Sequence, residues 1–192
     1  MKKILSEIVI LYDNNILCDF ETKKVLDACK CLLSSLKIEH KDITVTFLKY
    51  TDAIETITLN RPIDMISFKN LVPEKTGACA LIDCAVEAIT KIGDRYAAQP
   101  CEEHPEKVIF LLTVCGKENA SKHHTYKELN DMIRHQTDAY KWSFFMITDD
   151  TANYENIDIC PENTILFDSG DIDSLKIASE GLGHLMLRKI NE

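Results

Sequence analysis

The residues of this chain best suited to chemistry are its thiols, its imidazoles and one aspartate that closes an apolar run. Cys115 follows the most apolar stretch, residues 108–114, and His123 and His124 come shortly after it. A thiol with an imidazole in reach is the pair a cysteine hydrolase uses, because the imidazole takes the thiol proton and leaves a nucleophilic thiolate. No nucleophile-elbow sequence surrounds Cys115, so the two imidazoles read as a solvated loop or helix start. The 8 cysteines contain no CxxC pair. Cys29 and Cys31 lie two apart on a predicted helix, which turns them to different faces and denies them a shared metal. Each cysteine is therefore expected to be a small buried apolar side chain.

Phosphate chemistry finds no support. A dinucleotide site needs glycines just after the first strand, where backbone approaches the pyrophosphate, and residues 13–19 contain none. No GxxxxGK[ST] loop exists, and Gly181-Leu182-Gly183 falls inside the last helical pattern. Asp13 remains, ending the apolar run 7–12 and followed by Asn14 and Asn15. A carboxylate there either holds a cation or caps backbone N–H groups at the strand end, and capping is the simpler role.

The elements that must position these groups alternate between short apolar runs and helical stripes, the signature of a mostly parallel sheet covered on both faces. Residues 7–12 and 108–114 are near-continuously apolar, as central strands buried on both sides require. Residues 43–48 and 54–59 alternate, are rich in β-branched side chains, and should pair as a hairpin. Residues 142–147 and 164–167 complete the strands. Helical periodicity is carried by Val25, Leu26, Cys29, Leu32, Leu33 and Leu36; by Ile82, Ala85, Val86, Ile89 and Ile92; and by Leu175, Ala178, Leu182, Leu185 and Met186. Thr125 and Glu128 have the spacing of a capping box, so a further helix with Leu129, Met132 and Ile133 starts there. Residues 60–78 are irregular, 99–106 read as a surface loop and 149–163 as a polar loop.

In that order the segments resemble the von Willebrand factor A family. An apolar strand ending in Asp13 is similar to the family's Asp-x-Ser-x-Ser opening. Residues 77–83, GACALID, resemble Gly-Gly-Thr-Ala-Leu-x-Asp, and residues 108–121, VIFLLTVCGKENAS, resemble the strand, Thr-Asp-Gly and Glu-Asn-Ala-Ser of small bacterial and phage members. Residues 132–136 and 142–145 continue the likeness. The resemblance implies one domain over residues 1–192: a doubly wound, mostly parallel central sheet with one antiparallel edge strand and helices on both faces. It also implies a ligand surface at the carboxyl ends of the central strands, where members commonly hold one Mg²⁺ that bridges to a partner's carboxylate.

That ion site is mostly broken here. On the family pattern Asp13 is kept, Asn15 replaces the first serine, Leu17 the second, Cys79 the threonine and Cys115 the aspartate. Hard cations need oxygen ligands, and sulfur is a poor substitute. The expectation is a metal-free, cofactor-free, non-enzymatic module that binds a protein. Its face would be the loops 13–19, 75–80 and 115–124, with Asn14, Cys18, Asp19, Thr76, Gly77, Gly116, Lys117, Glu118, Asn119 and His123 exposed to a partner, as in a bacterial or phage adaptor. Two other readings stand beside it. One is a divalent-cation-dependent binder using Asp13, Asn15 and a shifted oxygen such as Thr76 or Thr113. The other is a zinc or thiol-redox protein, since the resemblance brings Cys79, Cys115, Cys18, His123 and His124 toward one rim, and thiolates with imidazoles suit zinc. Within residues 118–121, Asn119 and Ser121 are expected to stabilise their own turn.

Bulk properties narrow the partners. A net charge of −9 over 192 residues argues against phosphate-backbone binding. Residues 1–5 look briefly like an export signal, but Ser6 and Glu7 interrupt the run and no cleavage site follows. With no apolar run of membrane-spanning length, no membrane association is expected. The implied setting is cytoplasmic, with reduced thiols.

Overall fold

A strand buried on both faces must be apolar at odd and even positions alike, and the central pair of this sheet meets that condition. The computed structural model describes residues 6–14, 21–39, 42–68, 77–149, 154–167 and 172–192. Along the chain run β1 (Ser6–Asp13), α1 (Glu21–Glu39), β2 (Ile43–Tyr50), β3 (Ile54–Pro62), α2 (Leu81–Ala97), β4 (Lys107–Val114), α3 (Tyr126–Tyr140), β5 (Ser143–Asp149), β6 (Thr164–Phe167) and α4 (Ile172–Asn191). The six strands form one sheet in the order β3-β2-β1-β4-β5-β6. Neighbours are parallel except the β2–β3 hairpin, which supplies the antiparallel edge. This is the doubly wound sheet expected from the sequence.

Period-two alternation divides the strands between two cores. Ile8, Ile10 and Tyr12 of β1 face α1 and α4, together with Val45, Phe47, Ile109, Leu111, Phe145 and Ile147. Val9 and Leu11 face α2 and α3, with Leu48, Phe110, Leu112, Phe144 and Met146. The helical stripes of α1 and α2 are buried as their spacing requires. The capping box of α3 forms in full: Thr125 accepts from the Glu128 N–H while the Glu128 carboxylate accepts from the Thr125 N–H. Because strand order reverses between β1 and β4, helices leave those strands in opposite directions and a crevice opens at their carboxyl ends.

Three local readings change. The run beginning at Glu7 is not purely apolar: this side chain is 1% exposed and pairs with the Arg95 guanidinium, the Tyr96 hydroxyl and the Thr46 hydroxyl. Burial, then the charge of Glu7, raises the Tyr96 phenol, and Arg95 only partly offsets them. The expected polar loop 149–163 gives Asp149 to β5 and folds into 3-10 turns at Tyr154–Asn156 and Pro161–Asn163. Its Ile157 and Ile159 are buried against the α2/α3 core, and Asn130 of α3 ties the same segment by donating to the Asn156 carbonyl and accepting from the Asp158 N–H. The loop 99–106 likewise holds a 3-10 turn at Cys101–Glu103. Among the described residues no helix is long and apolar enough to cross a membrane, and residues 1–5 lie outside them.

Removing one partner of a buried ion pair leaves a charge in a low-dielectric interior. Arg95→Ala should therefore lower the unfolding free energy by about 3–5 kcal/mol in urea denaturation. The apolar double replacement Glu7→Leu with Arg95→Met should recover much of that loss. Equal losses in the two variants would mean the pair matters through shape rather than charge.

Candidate functional site

The crevice at the sheet switch point is organised by a buried carboxylate. Asp13 ends β1 with 0% exposure. A carboxylate out of water must be given donors, and the Cys115 N–H supplies one at 3.0 Å to Oδ2. The Cys79 thiol lies 4.0 Å from the same oxygen. The Asp13 N–H in turn donates to Thr113 Oγ1 at 2.8 Å, and the Tyr50 hydroxyl donates to the Thr113 carbonyl at 3.0 Å. Asn14 N–H donates to the Tyr50 carbonyl at 2.9 Å and Ala80 N–H to the Thr51 carbonyl at 2.8 Å. The carboxyl ends of β1, β2 and β4 and the segment entering α2 are thereby tied at one place.

A second layer fastens the loops above it. Helix α2 begins after Ala80, which has no side chain able to cap it. The exposed N–H groups of its first turn still need acceptors, and residues 118–121 supply them from across the crevice. Glu118 accepts from Ile82 N–H at 3.1 Å, and Ser121 Oγ accepts from Asp83 N–H at 3.1 Å. Asp83 answers in kind, taking N–H bonds from Lys122, His123 and His124 at 2.7, 3.1 and 2.8 Å. Asn119 bridges the same two segments: its Oδ1 accepts from Cys79 N–H at 2.8 Å and its Nδ2 donates to the Gly77 carbonyl at 3.0 Å. Gly77 has φ 68°, a left-handed angle that side chains resist. Glu118 also binds its own turn, accepting from Ala120 and Ser121 N–H.

The structure thus brings Asp13, Cys79 and Cys115 together, with Asn14 buried beside them and Gly77, Glu118 and Asn119 in the layer above. Gly116 is buried, while Lys117 and His123 are exposed. Asn15, Leu17, Cys18, Asp19 and Thr76 lie outside the described residues. The expectation that Asn119 and Ser121 serve their own turn holds for Ser121, whose hydroxyl donates to Glu118, but both side chains also reach a partner segment about 40 residues away, where the uncapped start of α2 demands acceptors. The convergence of Cys79, Cys115, His123 and His124 into a soft-metal set does not form among the described residues, where no three His, Cys, Asp or Glu side chains are placed to hold a metal ion. The backbone of both histidines is drawn toward Asp83 instead. The uniform burial expected of cysteines also fails: Cys29, Cys79, Cys84 and Cys115 are buried, but Cys31, Cys101 and Cys160 are exposed. Residue type says nothing of which helix face or turn it occupies, although Cys29 and Cys31 do point apart as their spacing required.

Asp83 and Tyr50 were missed as site-building residues, and Thr113, weighed only as a cation ligand, accepts the Asp13 N–H. One legible clue existed for Asp83: a helical stripe that starts after an alanine must find its cap elsewhere.

The chemistry of the crevice follows from burial. Burial, then the charges of Asp13 and Glu118, pushes the Cys79 thiol well above its ordinary range, and the Tyr50 hydroxyl offsets this only in part. Cys84 is pushed up to about 12, chiefly by burial and then by Glu87. A protonated thiol is neither a good nucleophile nor a good metal ligand. Of the described positions that the family pattern assigns to the ion, Asp13 alone carries oxygen, and its carboxylate already accepts a backbone N–H. That donor set does not suit Mg²⁺ or Ca²⁺.

No protein-family model matches the chain, and no curated protein matches it. Solved structures do. Proximal thread matrix protein 1 (PTMP1) from the mussel byssus, in a form with a zinc-occupied MIDAS motif, superposes with TM-score 0.62 at 15% identity over 95% of this chain and 46% of that one. A von Willebrand factor type A structure from Catenulispora acidiphila gives TM-score 0.61 at 11% identity, over 94% and 43%. The chain thus spans under half the length of either. The SpRpn10 VWA domain matches with TM-score 0.59 at 10% identity, over 91% of this chain and 93% of that domain. The chain has a von Willebrand factor A-like fold. Across these VWA-like structures the identity is too low for the match to carry more than the fold.

Two measurements probe the VWA-like rim. Burial alone would raise the Asp83 carboxyl, but the N–H bonds from Lys122, His124 and His123 outweigh it and hold the group below its ordinary value of 3.8. The folded state therefore binds fewer protons there than the unfolded one. The stabilisation is full above the ordinary value and fades as pH falls through the lowered one. Asp83→Asn should flatten that part of the acid limb of stability against pH, and an unchanged limb would remove the carboxylate from the latch. In peptide-mapped alkylation of the native protein, Cys31, Cys101 and Cys160 should react quickly. Cys29, Cys79, Cys84 and Cys115 should react only on unfolding, and rapid native labelling of Cys79 would contradict its protonated, buried state.

Proposed function

We propose that this VWA-like domain is a non-enzymatic protein-interaction module that engages its partner through the sheet rim without a bridging cation. The observation that carries the proposal is the state of Asp13: fully buried, bonded to the Cys115 N–H, and flanked by the Cys79 thiol 4.0 Å away. The carboxylate that would anchor an ion serves instead to hold two loops together. Over it, the exchange among Asp83, Glu118, Asn119 and Ser121 holds those loops rigid, and a preorganised surface loses less entropy on binding. Exposed Lys117, Lys122, His123 and His124 give that surface donors for an acidic or carbonyl-rich partner. The raised Cys79 thiol supports a binding role over catalysis. The adaptor role in a bacterial or phage assembly rests on the likeness of residues 108–121 to small bacterial and phage members of the family.

The test is capture of a partner from the native host by the wild-type chain and by Lys117→Glu, each with and without EDTA. A specific partner should be retained in chelator and lost with Lys117→Glu. In parallel, Mg²⁺ and Mn²⁺ should leave the melting temperature where a monovalent salt of equal ionic strength leaves it, since a ligand specific to the native state must raise it. Capture that vanishes in EDTA and returns with Mg²⁺ would reverse the proposal in favour of a cation held by Asp13, Asn15 and an oxygen such as Thr76 or Thr113.

A further inference from the structure

Far from the rim, at the opposite end of the sheet, α2 and α3 diverge over the starts of β4 and β5 and leave a cavity of about 480 Å³. That volume lies in the range of small-molecule sites. Three aromatic side chains, Tyr96, Tyr140 and Trp142, stand in its wall. Tyr96 and the indole of Trp142 meet nearly at right angles, at 6.3 Å between centroids and 86° between planes, and the His104 ring lies 5.5 Å from Tyr96. Met132 adds a polarisable thioether from α3. Two carboxylates, Asp94 and Glu106, line the cavity with the imidazoles of His104 and His135; among the described residues no Lys or Arg lines it, though the Arg95 guanidinium lies over the Tyr96 ring 4.7 Å from its centroid.

One residue of the lining has no structural reason to be what it is. Gly93 sits in the interior of α2, where glycine is the least favourable residue after proline. Its backbone angle is not left-handed, and a Cβ placed there would meet nothing within 4 Å. Alanine would suit the helix better and would clash with nothing. What a side chain at 93 would do is occupy the cavity.

We infer that this cavity is a binding site for a small organic cation with a flat apolar body, such as an aromatic or quaternary amine. Trp142 and the face of Tyr96 not covered by the Arg95 guanidinium offer stacking and cation–π surfaces. Asp94 and Glu106 set the sign of charge, and the absence of side-chain atoms at Gly93 admits the flat body against the helix backbone. The site is independent of the rim and of any partner bound there.

The chain carries its own reporter, because Trp142 is its only tryptophan. The probes are proflavine, a flat cation, and 8-anilinonaphthalene-1-sulfonate, an apolar anion of similar size. Each is titrated by calorimetry and by Trp142 fluorescence at about 150 mM salt, so that the net charge of the chain is screened. Proflavine should bind one to one and at least about tenfold more tightly than the sulfonate. Gly93→Leu should weaken proflavine at least about tenfold, while Asp94→Asn combined with Glu106→Gln should weaken it by about threefold or more. Gly93→Ala guards against a folding artefact: it should melt no lower than the wild type and show the same loss in smaller measure. Absence of saturable proflavine binding, or binding untouched by both Gly93 variants, would overturn the site. Tighter binding of the sulfonate, or indifference to the carboxylate changes, would overturn the cationic class.

Discussion

A carboxylate buried at the end of a strand has to be answered by donors inside the protein, and much of the rim of this sheet follows from how Asp13 is answered. The Cys115 N–H comes to it from the end of β4, and its own backbone N–H goes to Thr113 on the same strand. Tyr50 secures Thr113 from β2. Three strand ends separated by up to 102 residues in sequence are held in register there. A lone charge in an apolar surround costs several kcal/mol, so this geometry is strongly selected over one in which the loops splay.

Strand β1 in fact carries a buried carboxylate near each end, and the two are satisfied by different means. At the entry end Glu7 meets Arg95, Tyr96 and Thr46, a charge-paired cluster that joins β1 to α2 and β2. At the exit end Asp13 meets backbone and a neutral thiol. The first arrangement anchors a helix to the sheet. The second sets the carboxylate against a backbone N–H and a thiol at the sheet's switch point. In the reading proposed above, sulfur at positions 79 and 115 stands where a hard cation would need oxygen. Raising the Cys79 thiol through burial and the charge of Asp13 keeps it neutral beside the carboxylate.

The rim and the aromatic cavity occupy opposite ends of α2, and each draws on a different property of that helix. Its first turn lacks a capping side chain and borrows Glu118 and Ser121, which locks the loops. Its last turns carry Gly93, Asp94 and Tyr96, which shape the cavity. A helix with a rigid packed middle, where Ala85, Ala88 and Ile89 are fully buried, can serve two surfaces without either disturbing the other.

Much of the architecture was legible without coordinates. Continuous apolar runs marked β1 and β4 as central, alternation marked the β2–β3 hairpin, and Thr125 with Glu128 marked the start of α3, because each of these signals reports burial or hydrogen bonding within a few residues of itself. The family pattern placed Asp13, Cys79 and Cys115 on one rim for the same reason: their order follows the order of the elements. Tertiary structure alone decided who answers whom. Asn119 bonds to Gly77 and Cys79, Asp83 to residues 122–124, and Glu7 to Arg95, and none of these pairs leaves a periodic trace. Nor does periodicity say which cysteines face solvent or that two helices part to leave a cavity beside Gly93. Local pattern is set by the chain's own repeat, whereas donors and acceptors dozens of residues apart are matched only when packing carries them to the same place.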